Sequence, residues 1–188
     1  DEKSHRLQSI PDAFETAVER QNRKLLSEVI ELMGGLDTKE GFIINNAKNL
    51  SLSTQIGDRI GRAMMGGEYA RAVEAYLGQW NKQQRLNNDI FSKTFSLEEK
   101  EIYQKLFRQY QENALLIFGD VAVSQEMTQP LKRMLTSSVS TSVSFTDAIK
   151  ELTEFIVGSD DIDGRMTAYV KMYARDIFTG ADANYVKA

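Results

Sequence analysis

The chain has 188 residues, of which 41% are hydrophobic and 27% are charged, and its formal net charge is −4 at pH 7. It contains no Cys and one His, which excludes a disulfide framework, a thiolate or multi-histidine metal site and a cysteine nucleophile. The acidic balance argues against direct nucleic-acid binding, because neutralising phosphates requires an excess of Lys and Arg. No stretch approaches the roughly 20 apolar residues of a membrane span.

Two prolines in the whole chain, with many Ala, Glu, Gln, Lys and Leu residues, predict a mostly α-helical fold. The first helix is predicted over residues 11–33, where apolar side chains recur on one face and a Gly-Gly pair follows. On its outer face Arg20, Arg23 and Lys24 are interleaved with acidic residues, which indicates a salt-bridged surface.

A connector follows over residues 36–49. Its apolar residues 42–44 predict either a plug against the core or one short strand. A second helix is predicted over residues 51–65, where Gly57 and Gly61 fall on one row. Interior glycines cost helix stability, so their presence favours close approach by another helix, and a hinge is the alternative.

The third predicted helix, residues 68–91, carries an aromatic stripe formed by Tyr69, Tyr76 and Trp80. Aromatic residues at helical spacing are typical of a core, but their enrichment at protein interfaces keeps an assembly role open. The polar residues 83–89 predict either a solvated extension of this helix or a loop.

A capping box of Ser96 and Glu99 predicts the start of the fourth helix. Its apolar residues 115–118 are expected to carry the helix end into the core. A shorter helix is predicted over residues 121–129, and Pro130 is expected to kink or end it, because the residue before a proline disfavours helical dihedral angles.

Residues 136–144 contain seven Ser or Thr among nine, the sharpest composition shift in the chain. We interpret them as a connector, with a short β-strand as the alternative. The expected organisation is a helical body over residues 1–135, a Ser/Thr-rich connector over 136–144 and a C-terminal helical segment over 145–188.

The C-terminal segment is predicted to hold two helices. The first covers residues 145–157 and is capped by Ser144. The second runs from 165 to about 178 or beyond, with a break or bend at Thr179 and Gly180. The acidic loop 158–164 matches the first positions of a calcium loop but lacks its closing Glu, so capping of the last helix explains it better. The whole chain is therefore predicted to form an array or bundle of about six to eight helices.

No group of residues combines a nucleophile, a base and an oxyanion site. We therefore expect no catalytic residue, cofactor, metal ligand or small-molecule substrate, and no enzyme activity. The candidate residues are aromatic and are predicted to bind a protein partner: Tyr69, Tyr76, Trp80, Tyr169 and Tyr173.

Two groups of segments resemble a known family. The first resembles the N-terminal helical region of minor head proteins of tailed bacteriophages, and comprises residues 36–44, 48–50, 56–65, 68–69, 72–73 and 81–91. The second is similar to the helix that precedes the C-terminal module of head-morphogenesis proteins related to the minor head protein of phage Mu. It comprises residues 163–178 and 184–186. In the family, the C-terminal module would follow Ala188.

The resemblance implies a structural virion protein, present in few copies, that is needed for head assembly or DNA delivery. Its expected partners are portal or capsid proteins, a homo-oligomer is a further expectation, and the expected location is the virion, assembled in the host cytoplasm. The alternative is a cytoplasmic helical adaptor or regulatory binding protein. The virion hypothesis predicts exposed apolar strips or extended termini, whereas the adaptor hypothesis predicts a compact monomer or dimer with its aromatic stripe buried.

Overall fold

Helices dominate the computed structural model of the chain, which describes residues 2–91 and 96–186 and is 84% helical. The elements in chain order are α1 (Glu2–Met33), β1 (Thr38–Lys39), β2 (Phe42–Ile43), α2 (Ala47–Gly66), α3 (Glu68–Phe91), α4 (Leu97–Phe118), α5 (Asp120–Val123), a π-helical segment (Ser124–Thr128), α6 (Gln129–Ser140), α7 (Phe145–Ile156) and α8 (Arg165–Val186). The mostly α-helical class is confirmed. Five helices of 20 or more residues form the body of the described chain, fewer main helices than the six to eight expected.

Helix α1 is the longest helix and packs against four others. It has 32 residues and contacts α2, α3, α7 and α8. It begins well before Pro11, where the sequence predicted its start. A proline fixes φ near the helical value and removes only one amide donor, so the apolar residues Ile10 and Phe14 can still be buried on either side of it.

A β-hairpin with two residues in each strand joins α1 to α2. Strands β1 and β2 pair antiparallel, with Thr38 opposite Ile43. Glu40 and Gly41 form the turn with φ values of 54° and 84°, the combination that a type I′ turn requires. Residues 42 and 43 thus form the short strand of the second sequence alternative. One of them, Ile43, also packs into the core as the first alternative expected, while Phe42 is exposed.

The glycines of α2 are sites of close helix approach. A Cβ atom at Gly57 would lie 2.1 Å from Cγ of Lys132 on α6, and one at Gly61 would lie 2.7 Å from Cγ2 of Thr128. Both glycines are buried. The interpretation as a helix–helix contact is confirmed, because any larger residue would hold these helices apart.

Residues 120–140 form one helical run in which the ladder changes at the π-helical segment. The amide of Gln129 donates to the carbonyl of Ser124, an i→i−5 bond immediately before Pro130. Pro130 was expected to kink or end the helix, but the helical run continues through it. Proline has no amide hydrogen to donate, and the π turn places this gap where the backbone hydrogen-bond pattern has already shifted.

The predicted Ser/Thr connector is wrong for residues 136–140, which are the end of α6. Their hydroxyls donate to carbonyls one turn earlier, as in the bonds from Ser138 to Met134 at 2.9 Å and from Ser140 to Thr136 at 2.8 Å. Because hydroxyls such as these find partners on their own helix, the polar composition does not end it. The turn before α7 is short, and Ser144 caps α7 as predicted.

One apolar core runs through the body and the C-terminal helices alike. Its centre is a cluster of aromatic rings in mutual contact, formed by Phe14, Tyr76, Trp80, Phe107, Phe118 and Phe178. These rings come from α1, α3, α4 and α8, so the C-terminal helix completes the core of the body. Across the described residues, no helix is both long and apolar enough to cross a bilayer.

Candidate interaction surface

The aromatic stripe of α3 lies in the core and not on the surface. Tyr69, Tyr76 and Trp80 are 1%, 3% and 0% exposed. The hydroxyl of Tyr69 donates to the carbonyl of Phe118 at 3.0 Å, and burial raises the pKa of both Tyr69 and Tyr76 far above that of an ordinary phenol. The prediction that these three residues bind a partner is therefore wrong for this structure, because their area is already covered by α1, α4 and α8.

Tyr169 and Tyr173, the other two predicted interface residues, do reach the surface. They lie one turn apart on α8 with ring centroids 4.9 Å apart, and Tyr173 is 36% exposed. The half-buried Tyr169 donates its hydroxyl to the carbonyl of Ile117 at 3.0 Å. That bond fixes the outer edge of α8 to the C-terminal end of α4.

Two further apolar side chains lie exposed on these two helices. Met172, beside Tyr173 on α8, is 61% exposed, and Leu116, beside Ile117 on α4, is 71% exposed. We use the name α4–α8 surface for the four residues Leu116, Tyr169, Met172 and Tyr173, which are grouped because they reach the surface on two helices that the Tyr169–Ile117 bond joins. Residues 115–118 were expected to carry the end of α4 into the core, and Phe118 does so, whereas Leu115 and Leu116 of the same run are exposed.

The sequence carried a signal for this exposure. Consecutive residues on a helix point in different directions, so four adjacent apolar residues cannot all face one core. Val121, just after the end of α4, is another exposed apolar residue, at 63%. Neither Leu116 nor Met172 was predicted as a candidate residue.

A charged pair borders the α4–α8 surface. Arg165 binds Glu126 of the π-helical segment at 2.5 Å, and both residues line a hollow of about 170 Å³ together with Tyr169, Met172 and Tyr173. Burial, and then the negative charge of Glu126, raise the pKa of Tyr169. Exposed aromatic and Met side chains with an Arg at the rim are the composition typical of protein–protein interfaces.

The acidic loop before α8 is occupied by contacts within the chain. Asp163 accepts two hydrogen bonds from Lys171 at 2.8 and 2.9 Å, and these contribute to a raised pKa of the Lys171 ammonium. Gly158, with φ of 90°, and Asp163 form a β-bridge that closes the loop. In the part of the chain that the structure describes, no three acidic or His side chains are grouped as metal ligands.

Comparison of the chain with known protein families, with curated proteins and with solved structures gives no match.

Proposed function

We propose that this protein is a structural component of a bacteriophage head. In this proposal it is a minor head or portal-associated protein that acts in capsid assembly or DNA delivery through protein–protein contacts, without turnover. Its partners are portal or capsid proteins, and it resides in the virion. The family resemblance of residues 36–91 and 163–186 provides the specific identity, and the structure contributes the surface that such contacts need.

The observation that carries the proposal is the α4–α8 surface. Leu116 and Met172 are each more than 60% exposed, and two tyrosines one turn apart lie beside Met172. Burying one large apolar side chain against a partner stabilises a complex by about 1.5–3 kcal/mol, so these residues suffice as anchors of an interface. The Tyr169–Ile117 bond holds the two helices that present them, so little ordering is needed on binding.

The test is incorporation into particles. Wild-type protein and the double variant Leu116→Glu/Met172→Glu are each expressed, with a tag, in cells that produce the phage, and heads are purified by density gradient. We expect the wild type to cosediment with heads and the double variant to remain at the top of the gradient. Ile162→Glu is the matched control, because Ile162 is 70% exposed on the loop before α8.

The proposal is contradicted if the wild type never enters the head fraction. If both variants enter equally well, the α4–α8 surface is not the contact. Circular dichroism of each purified variant, with the same helix content and melting temperature as the wild type, shows that a loss of incorporation is a loss of binding.

A second candidate function is a helical adaptor or regulatory binding protein of the cytoplasm. The burial of Tyr69, Tyr76 and Trp80 favours it, because a compact chain with its aromatic stripe inside is what this hypothesis predicts. The same gradients distinguish the two functions: an adaptor stays with a soluble partner of defined mass, measured by light scattering after gel filtration, and is absent from heads.

A further inference from the structure

A second surface is an open groove between α1 and α3. It lies on the opposite side of α1 from the residues that contact Lys171 and Arg175. These helices run antiparallel: Phe14 stacks on Tyr76 with ring centroids 4.6 Å apart, and Lys24 pairs with Glu68 near the other end. The two rings line the floor of a hollow of about 410 Å³. Ile10 and Gln79 also line it, and the remaining wall residues have short side chains: Ser9, Ala13, Ala17, Ala72 and Ala75.

The groove continues toward the C-terminal half of α1 and becomes basic there. A second hollow of about 330 Å³ shares Ala17 and Ala72 with the first and is also lined by Arg20, Lys24, Glu68 and Arg71. From Ser9 to Lys24 the groove follows roughly 22 Å of α1, about four helical turns. We call the whole feature the α1–α3 groove.

Positive charge at this end exceeds negative charge. The side chain of Lys24 is bonded to Glu68, while the side chains of Arg20 and Arg71 make no ion pair or hydrogen bond within the described residues. Both arginines lie close enough to Glu68 to lower the pKa of its carboxyl, after the larger effect of Lys24. Three cations and one carboxylate leave a local excess of two positive charges in a chain whose net charge is −4. The salt-bridged outer face that the sequence predicted for α1 is thus only partly formed. Arg23 makes an ion pair with Glu19, whereas the side chain of Arg20 makes no ion pair within the described residues.

We propose that the α1–α3 groove binds an acidic amphipathic α-helix of a partner protein. Ridges of a third helix fit between two neighbouring helices, and the short wall residues let its backbone approach the Phe14–Tyr76 floor. Carboxylates at one end of that helix pair with Arg20 and Arg71, which fixes its position along the groove. The inference is independent of the proposed function, because it concerns a different face and a different contact.

Peptide binding tests the proposal. The probe is a fluorescein-labelled helical peptide of about 18 residues, which is long enough for the groove. It carries Ala and Leu on one face, and Glu at the other positions of one of its two ends. Two companion peptides replace Glu by Lys or scramble the apolar positions, and a single-stranded oligonucleotide of equal negative charge is the fourth probe. Anisotropy titrations should give saturable binding of the acidic peptide alone.

Charge and groove variants locate the site. Arg20→Glu/Arg71→Glu should weaken binding of the acidic peptide by about tenfold or more, because two attractive contacts become repulsive. Arg59→Glu/Arg133→Glu, with two exposed arginines on α2 and α6, is the matched control and should bind like wild type. Ala13→Phe should block the groove, whereas Ala47→Phe, an equally exposed position at the start of α2, should not.

Methyl spectra of protein labelled with ¹³C at alanine give a direct readout. The methyl signals of Ala13, Ala17, Ala72 and Ala75 should shift on adding the acidic peptide, while that of the buried Ala148 on α7 stays unchanged. Binding of the basic peptide or the oligonucleotide as strongly as the acidic peptide, or wild-type affinity in the Arg20→Glu/Arg71→Glu variant, would overturn the proposal. So would the absence of saturable binding.

Discussion

The phenolic oxygen of Tyr76 lies 2.6 Å from the carbonyl oxygen of Ala174, so one hydrogen bond joins the middle of α3 to the middle of α8. Tyr76 also stacks on Phe14 and contacts Trp80, Phe118 and Phe178. Tyr76, which the sequence predicted as a residue of a partner interface, therefore joins the C-terminal helix to the core.

Replacing Tyr76 with Phe removes this bond and keeps the ring. We expect Tyr76→Phe to lower the free energy of unfolding by about 1 kcal/mol, the usual net contribution of a buried hydrogen bond. Tyr173→Phe is the control, since Tyr173 is partly exposed and should change little. Urea denaturation followed by circular dichroism measures both, and equal effects of the two variants would contradict the role assigned to Tyr76.

Two helix-interior glycines, Gly61 in the contact of α2 with the π-helical segment and Gly78 on α3, should respond to Ala with opposite signs. Gly61→Ala places a Cβ atom 2.7 Å from Thr128, whereas a Cβ atom at Gly78 meets nothing within 4 Å. We expect Gly61→Ala to lower the free energy of unfolding by about 1–2 kcal/mol, since overpacking outweighs the helix preference of Ala. Gly78→Ala should raise it by about 1 kcal/mol. Thermal and urea unfolding of both variants check the difference in sign.

A buried polar cluster joins α3 to α8 near their ends. The side-chain amides of Gln83 and Asn87 both donate to one carboxylate oxygen of Asp182, at 3.0 and 2.9 Å. Asp182→Ala removes the acceptor, and each abandoned buried donor costs about 1–3 kcal/mol, so a loss of about 2–4 kcal/mol is expected. Asp176→Ala, on the exposed face of the same helix, should stay within about 0.5 kcal/mol of wild type by urea denaturation. A loss at position 182 no larger than that at 176 would refute the structural role of the cluster.

The capping box of α4 predicts a pH effect. The hydroxyl of Ser96 and then its backbone amide, bonded to the Glu99 carboxylate at 2.6 Å, lower the pKa of Glu99 below its ordinary value. The interaction therefore stabilises the fold above the pKa of the unfolded chain, and this stabilisation is lost as the pH falls through the lower folded pKa. In Ser96→Ala the Glu99 carboxyl should titrate at higher pH, as measured by ¹³C NMR. Ser144→Ala, which removes the cap of α7, should leave the Glu99 titration unchanged.

Local signals in the sequence predicted much of the helical framework. The caps at Ser96 and Ser144 and the close approach at Gly57 and Gly61 follow from chemistry within one helix or one turn, and the structure contains them. The last helix was expected to reach about residue 178 or beyond, with a break or bend at Thr179 and Gly180. The helix instead continues past Gly180, where a Cβ atom would lie 3.6 Å from the ring of Tyr110.

The side of each helix that meets solvent could not be predicted. Tyr69 and Trp80 have the same spacing whether they face the core or a partner, and only the arrangement of α1, α4 and α8 decides between them. The polar residues Gln83 and Asn87 were expected in a solvated extension or a loop, yet both are buried because Asp182, far away in sequence, supplies their acceptor. Such long-range pairs leave no trace in local composition.

Trp80 is the only tryptophan of the chain, is fully buried, and touches the rings of Tyr76, Phe107 and Phe178. The molecule therefore contains its own optical probe at the meeting point of α3, α4 and α8. Its emission should shift to longer wavelength when these helices separate, which makes intrinsic fluorescence a direct measure of whether α8 remains docked.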